Sequence, residues 1–211
     1  METFYYYLGN SVYLFQAILA FVGAYSLIMV WRRVSNTGFD DEEEQDEFLA
    51  ELEQALAARN HDAAVELCDG DRRTMPQLAL FAITNRDLGY SQVRARVAER
   101  YQQDVMADIE HRLSWVGTAI KTEPMLGLLG TVMGMMGAFA NLASGEKVDP
   151  TKMASDIQFA LITTAVGLSI AVPLMVGLAS INIRIRKMED LTGTGLSRLF
   201  DTLKRFLPRS Q

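Results

Sequence analysis

Three stretches of this sequence carry no charged side chain: Thr3 to Trp31, Pro124 to Gly145, and Ile157 to Ile183. A helix rises about 1.5 Å per residue, so about 20 apolar residues cross a hydrocarbon layer about 30 Å thick. Each stretch meets that length. A water-soluble domain of 211 residues has little use for three helices that are apolar on every face, which makes membrane spans the better reading. The first stretch does not read as a cleavable leader. It has no basic segment ahead of it, and no A-x-A site precedes Trp31-Arg32-Arg33.

Lys and Arg accumulate on the cytoplasmic side of membrane spans. Arg32 and Arg33 follow the first stretch, Arg112 and Lys121 lead into the second, and Arg184, Arg186 and Lys187 follow the third. The link between the second and third carries only Lys147 and Lys152. These flanks predict a periplasmic N-terminus (1–11), a first span (12–31) and a cytoplasmic helical domain (32–123). A second span (124–143), a short periplasmic loop (144–156), a third span (157–183) and a cytoplasmic C-terminal helix or tail (184–211) complete the layout. The expected fold is an all-α membrane protein with three transmembrane helices, whose long helices extend into a cytoplasmic helical bundle.

The rest of the composition removes other functions. A formal charge of −6 disfavours a nucleic-acid binder, which needs clustered Lys/Arg against phosphates. Cys68 stands alone, so no disulfide framework or zinc-type spacing exists, and it reads as a small buried apolar residue. His61 and His111 are far apart in sequence, leaving little material for a metal site or a catalytic triad. No metal, cofactor or enzymatic activity is expected.

Within 32–123 the acidic run Asp40 to Glu47 suits the first turn of a helix, where negative charge complements the dipole. Phe48, Leu49, Leu52, Ala55 and Leu56 continue it at helical spacing. A short helix is expected over Asp62–Cys68 and another over Met75–Leu88, with Pro76 in its first turn and Gly89 at its end. A long one should start at an N-cap Ser91 and run to the membrane through Val93, Val97, Tyr101, Val105, Ile109 and Leu113. The tail should continue the third span, break near Thr192-Gly193-Thr194-Gly195, and resume as an amphipathic stripe of Leu196, Leu199, Phe200, Leu203 and Leu207. Opposite that stripe lie Arg198, Lys204 and Arg205. A surface-lying helix and a bundle-packing helix fit the stripe equally.

Polar chemistry inside the spans is sparse. Gly127, Gly130, Gly134 and Gly137 share a broad face of the second span, and such faces let helix backbones approach closely in lipid. Thr131 lies near that face. Thr163 and Thr164 sit near the middle of the third span, followed by Gly167 and Pro173. A membrane threonine commonly bonds back to the carbonyl four residues earlier. No ionisable group lies within the spans, and Asp156 sits at the edge of the third. Proton-relaying membrane proteins normally need an intramembrane ionisable group, so here a partner must supply it.

The run Pro124-x-Leu-Gly-Leu-Leu-Gly-Thr-Val-x-Gly-Met, followed by Ala160-Leu-Ile-Thr-Thr-Ala-Val-Gly-Leu-x-Ile-Ala-Val-Pro173, resembles the TolQ/ExbB/MotA proton-channel family. The three-span layout with an outside N-terminus matches it as well, and the short outer loop favours the TolQ/ExbB branch. The resemblance implies that Thr131 and Thr164 line the proton pathway. It also implies a homopentamer around an ExbD- or TolR-like single-span partner with an intramembrane Asp. That assembly would be an inner-membrane motor driven by the proton-motive force, working through a TonB- or TolA-like periplasm-spanning protein on outer-membrane transport or envelope maintenance. One position departs from the pattern. ExbB-type members carry a glutamate five residues before the third-span threonine, and Phe159 stands there. Asp156, about one turn earlier, either substitutes for it or caps the helix. Thr163, about 100° around the helix from Thr164, is expected to be the more tolerant of the two. The competing reading from another class is a membrane scaffold that assembles partner helices without conducting ions.

Overall fold

The computed structural model describes residues 2–39, 41–143 and 150–206, and every element among them is helical. In chain order they are α1 (Glu2–Thr37), α2 (Glu42–Ala57), α3 (His61–Cys68), α4 (Thr74–Thr84), α5 (Tyr90–Arg100), α6 (Ala107–Ala143) and α7 (Pro150–Phe206). A single 3-10 turn covers Arg86–Leu88, and a π-helical turn, Tyr101–Met106, joins α5 to α6. Three of the helices are long and apolar enough to cross a membrane, so the chain is an all-α membrane protein. Its residues divide into two compact units, one of 1–29 with 112–180 and one of 30–111 with 181–211. Helices α1, α6 and α7 contribute to both.

In the second unit an ordinary apolar core forms. Leu49, Leu52 and Leu56 from α2 meet Ala64 and Cys68 from α3, Met75, Leu78 and Ile83 from α4, and Val93 and Val97 from α5. Local chemistry sets the boundaries. Glu42, Glu43 and Glu44 fill the first turn of α2, as the acidic run predicts. Asn60 caps α3 by accepting a hydrogen bond from the Ala63 N–H at 3.2 Å. The N-cap of α5 is Gly89 at φ +82°, rather than Ser91, because the chain turns there through a conformation that favours glycine. Arg73 ties the α3–α4 turn together. It holds Asp71 at 2.7 Å, pairs with Glu44, and lies 4.0 Å above the Phe39 ring. Burial alone would raise the Asp71 carboxyl, but the hydrogen bonds and charge of Arg73 outweigh it and hold the group below the usual aspartate range.

One expectation about the tail is corrected, and one open alternative is resolved. Helix α7 runs unbroken through Thr192–Gly195. Gly195 serves close packing instead of a break: a Cβ there would come within 3.0 Å of Gln45 Nε2 and Met75 Sδ. Gln45 Nε2 donates to the Leu191 carbonyl at 2.7 Å, which braces the same stretch. Beyond it, Leu199, Phe200 and Leu203 join the core with Leu196 against it, so the stripe packs into the bundle. Arg198, on the far face, meets Glu53 at 2.7 Å and Asp46 at 3.0 Å. Leu207 lies outside the described residues.

In the other unit the glycines of α6 face α7. A Cβ on Gly127 would meet Thr164 Cα at 2.8 Å, and one on Gly134 would meet the Asp156 carbonyl at 2.6 Å and Ala160 Cβ at 2.8 Å. Gly130 lies against the Thr163 side chain. Helix α1 closes on this pair through Gly23, whose Cβ would touch Ala119 Cβ at 2.9 Å and Leu174 Cδ1 at 3.0 Å. Neither proline interrupts its helix: Pro124 lies within α6 and Pro173 within α7. Of the expected loop 144–156, residues 150–156 form the first turns of α7. Residues 144–149 lie outside the described residues, and α7 already begins at Pro150, a residue whose fixed φ suits the first helical turn.

Candidate functional site

The second and third spans face each other through hydroxyls as well as glycines. Thr131 Oγ1 lies 2.5 Å from Thr164 Oγ1, joining α6 to α7. Two backbone carbonyls complete the cluster. Thr164 Oγ1 reaches the Gly127 carbonyl at 3.0 Å, and Thr131 Oγ1 lies 3.2 Å from the same oxygen and 3.3 Å from that of Ala160. The glycine is what permits this, because any side chain at 127 would drive the two backbones apart. Thr131 keeps the usual option of bonding back four residues, but Thr164 bonds across to the other helix. Each hydroxyl has one proton for several acceptors, so the pair can exchange partners at small cost. Both threonines are half-buried, which leaves the cluster open to a group from outside the unit.

Thr163 behaves differently. It is fully buried, donates to the Ala160 carbonyl at 2.9 Å, and fills the space that Gly130 leaves. It is a packing residue, so its valine variant is expected to perturb the seam rather than to be tolerated. Asp156 sits in the second turn of α7 and is not its cap, since the helix begins at Pro150. Its carboxylate oxygen lies 3.3 Å from where a Gly137 Cβ would stand, two turns of α7 before the threonine pair. Phe159 turns toward α1, meeting the Tyr13 ring edge-on at a centroid distance of 5.5 Å. The residue that replaces the glutamate of the sequence pattern is thus part of an aromatic contact.

Two further polar residues were not singled out from the sequence. Gln16 of α1 is buried and donates from Nε2 to the Thr163 carbonyl at 3.0 Å. Glu123 of α6 is fully buried, although it reads as the last flanking residue before an uncharged span. Its spacing held the signal. Glu123, Gly127, Gly130 and Gly134 follow one another at intervals of four, three and four, a single stripe of the helix. Gly167 marks where the two meet α7, for a Cβ there would lie 2.5 Å from the Glu123 carbonyl oxygen and 3.0 Å from Gln16 Nε2. Among the described residues no group of three or more His, Cys, Asp or Glu is placed to hold a metal.

Comparison with known proteins points to one family. Relatives include the Tol-Pal system protein TolQ of Haemophilus influenzae, 31% identical over 97 residues (46% of this chain, 42% of that protein). An ExbB homologue of Methanothermobacter thermautotrophicus is 44% identical over 70 residues (33% of this chain, 24% of that protein). The biopolymer transport protein ExbB of Helicobacter pylori is 28% identical over 115 residues (54% and 77%). The chain thus spans less than half the length of the first two. The model of the MotA/TolQ/ExbB proton channel family matches residues 75–192, more than half of the chain and both faces of the threonine pair. The chain belongs to the MotA/TolQ/ExbB proton channel family.

Proposed function

We propose that this chain is the channel-forming ring subunit of an inner-membrane motor of the ExbB/TolQ kind, driven by the proton-motive force. The observation that carries the proposal is the Thr131–Thr164 hydroxyl pair at 2.5 Å, half-exposed on an otherwise apolar seam. A hydroxyl can accept from a protonated carboxylic acid and donate to it once ionised, which avoids the penalty of an unsatisfied polar group in hydrocarbon. One copy offers a single such pair and cannot enclose a hydrophilic path. Several copies, five by the family resemblance, surround an ExbD- or TolR-like partner whose single membrane helix brings an aspartate to the hydroxyls. Proton passage turns the components against each other, and a TonB- or TolA-like protein carries the work to the outer membrane. The chain conducts and catalyses no covalent reaction. Its spans are 12–31, 124–143 and 157–183, with the N-terminus and the 144–156 link in the periplasm.

Thr→Val removes the hydroxyl while nearly keeping the shape. Thr131→Val and Thr164→Val are each expected to leave expression and oligomer size intact and to abolish gradient-driven function, with Thr164→Ser keeping part of it. Full activity in the double valine variant would sink the pore assignment and leave the scaffold reading. Orientation has its own test. A membrane-impermeant thiol reagent on intact cells should label Ser144→Cys and spare Asn60→Cys. The native thiol gives no background: Cys68 is fully buried, and burial, reinforced by the Asp71 charge, pushes it up to about 12.

A further inference from the structure

Among the Asp, Glu, His, Lys and Arg side chains of the described residues Glu123 alone is fully buried, and neither of its carboxylate oxygens has a hydrogen-bond partner there. It lies where α1, α6 and α7 converge on Gly167. Gln16, the polar neighbour from α1, spends its Nε2 on the Thr163 carbonyl and leaves its own Oε1 buried and unpartnered. These two residues therefore carry three buried acceptor oxygens without a partner, two on Glu123 and one on Gln16.

No counter-charge compensates them from the packed helices. Between residues 11 and 29, α1 has no charged side chain; its titratable groups are Tyr13, against Phe159, and Tyr25, stacked on Phe21. Between 150 and 180, α7 has only Lys152 and Asp156, and Asp156 packs beside Gly134 and Gly137, about 16 Å along α6 from Glu123. On α6 itself Arg112 and an exposed Lys121 precede it. An ionised carboxylate buried without donor or counter-charge is strongly disfavoured. Binding a proton neutralises it and turns one of its two unpartnered acceptor oxygens into an O–H donor.

We propose that Glu123 is a proton-binding station of this chain, holding a proton at neutral pH two helical turns from the Thr131–Thr164 pair. The O–H bond forms as a hydronium ion gives up its proton to the carboxylate and becomes water, and breaks as that proton passes to water on the Arg112 side. The station rests on the proton-channel reading and adds to it a carboxylate supplied by the ring subunit itself.

Two measurements test it. Infrared spectra of the full-length protein in lipid vesicles at neutral pH should contain the carbonyl band of a protonated carboxylic acid, and Glu123→Gln should remove it. A wild-type spectrum without that band, or a band that persists in Glu123→Gln, overturns the station. In vesicles holding the complex purified from cells that produce the chain, a pH-sensitive dye reads proton flux under an imposed gradient. Glu123→Gln should lower the flux at least tenfold, and Glu123→Asp should recover part of it. Flux lost in Thr131→Val but unchanged in Glu123→Gln overturns the station and leaves the channel reading standing. Flux unchanged in both variants removes the channel reading instead. Should Glu123→Gln fail to assemble, the wild-type band and its displacement in Glu123→Asp still decide.

Discussion

In the unit built on α2 to α5, Leu49, Leu52 and Ile83 lie inside at 1–2% exposure, while Glu44, Glu53 and Arg198 lie toward water. In the unit built on α1, α6 and α7 the order is turned over. Phe21, Leu128 and Val176 face outward at 73%, 62% and 62%, while Gln16, Glu123 and Thr163 are inside. The first arrangement is what water selects, since removing apolar area from it is the main driving force. The second suits an apolar surround. Burying leucine gains nothing over lipid, so helices associate through backbone proximity at small residues and through internal polar contacts. A single chain therefore carries two packing rules, and substitutions of the same kind should have opposite consequences in the two units.

The largest effect should come from filling the glycine seam. Gly134→Leu would drive a side chain into the Asp156 carbonyl and Ala160, which even a Cβ approaches within 2.8 Å. Overpacking of a tight core typically costs about 1–3 kcal/mol, occasionally more, and here the obstacle is partly backbone, which cannot rotate aside. Loss of the oligomer peak in size-exclusion chromatography from mild detergent is the expected outcome. An unchanged peak would mean that α6 and α7 do not meet at backbone distance.

Next in size is a matched pair of truncations. Leu52→Ala, at 1% exposure in the water-type core, should lower stability by about 2–5 kcal/mol. Phe21→Ala removes a larger side chain but one that is 73% exposed, and should shift thermal unfolding in lipid far less. Equal shifts would show that the outward face of α1 is covered by something better packed than lipid.

The same contrast explains what could be read without coordinates. Apolar length and charge flanks identify the three membrane helices, because the bilayer imposes a length that no local propensity can hide. The threonines were legible through their motif alone, since periodicity does not say that Thr164 reaches Gly127 across the seam. Misreadings came where a residue has two uses. Gly193 and Gly195 read as a break, but glycine costs a helix only about 1 kcal/mol and the tertiary packing of α7 overrides it. Glu123 read as a flank because charge at a span edge normally faces water, and only the neighbouring helices show that it points inward. Residues 150–156 read as loop because the sequence between Gly145 and Ile157 is polar, which a helix tolerates wherever one face packs.

The smallest effect separates the two uses of glycine along one helix. At Gly193 a Cβ would find nothing within 4 Å, whereas at Gly167 it would stand 2.5 Å from the Glu123 carbonyl oxygen. Both positions are interior to α7. Where space is open, Gly→Ala acts chiefly by restricting the unfolded chain and by removing a poor helix former, worth about 0.5–1 kcal/mol. Gly193→Ala should therefore raise the thermal midpoint slightly and leave function untouched. Gly167→Ala, the same chemical change 26 residues earlier, should lower it, because the methyl group must displace the α6 backbone or the Gln16 amide. If both variants were stabilising, α7 would not be held against α6 at Gly167, and the buried layer of Gln16 and Glu123 would have room for water. If both were destabilising, the open space at Gly193 would be filled by a neighbouring subunit. The sign of the difference thus reports, from two methyl groups, where this helix touches something and where it does not.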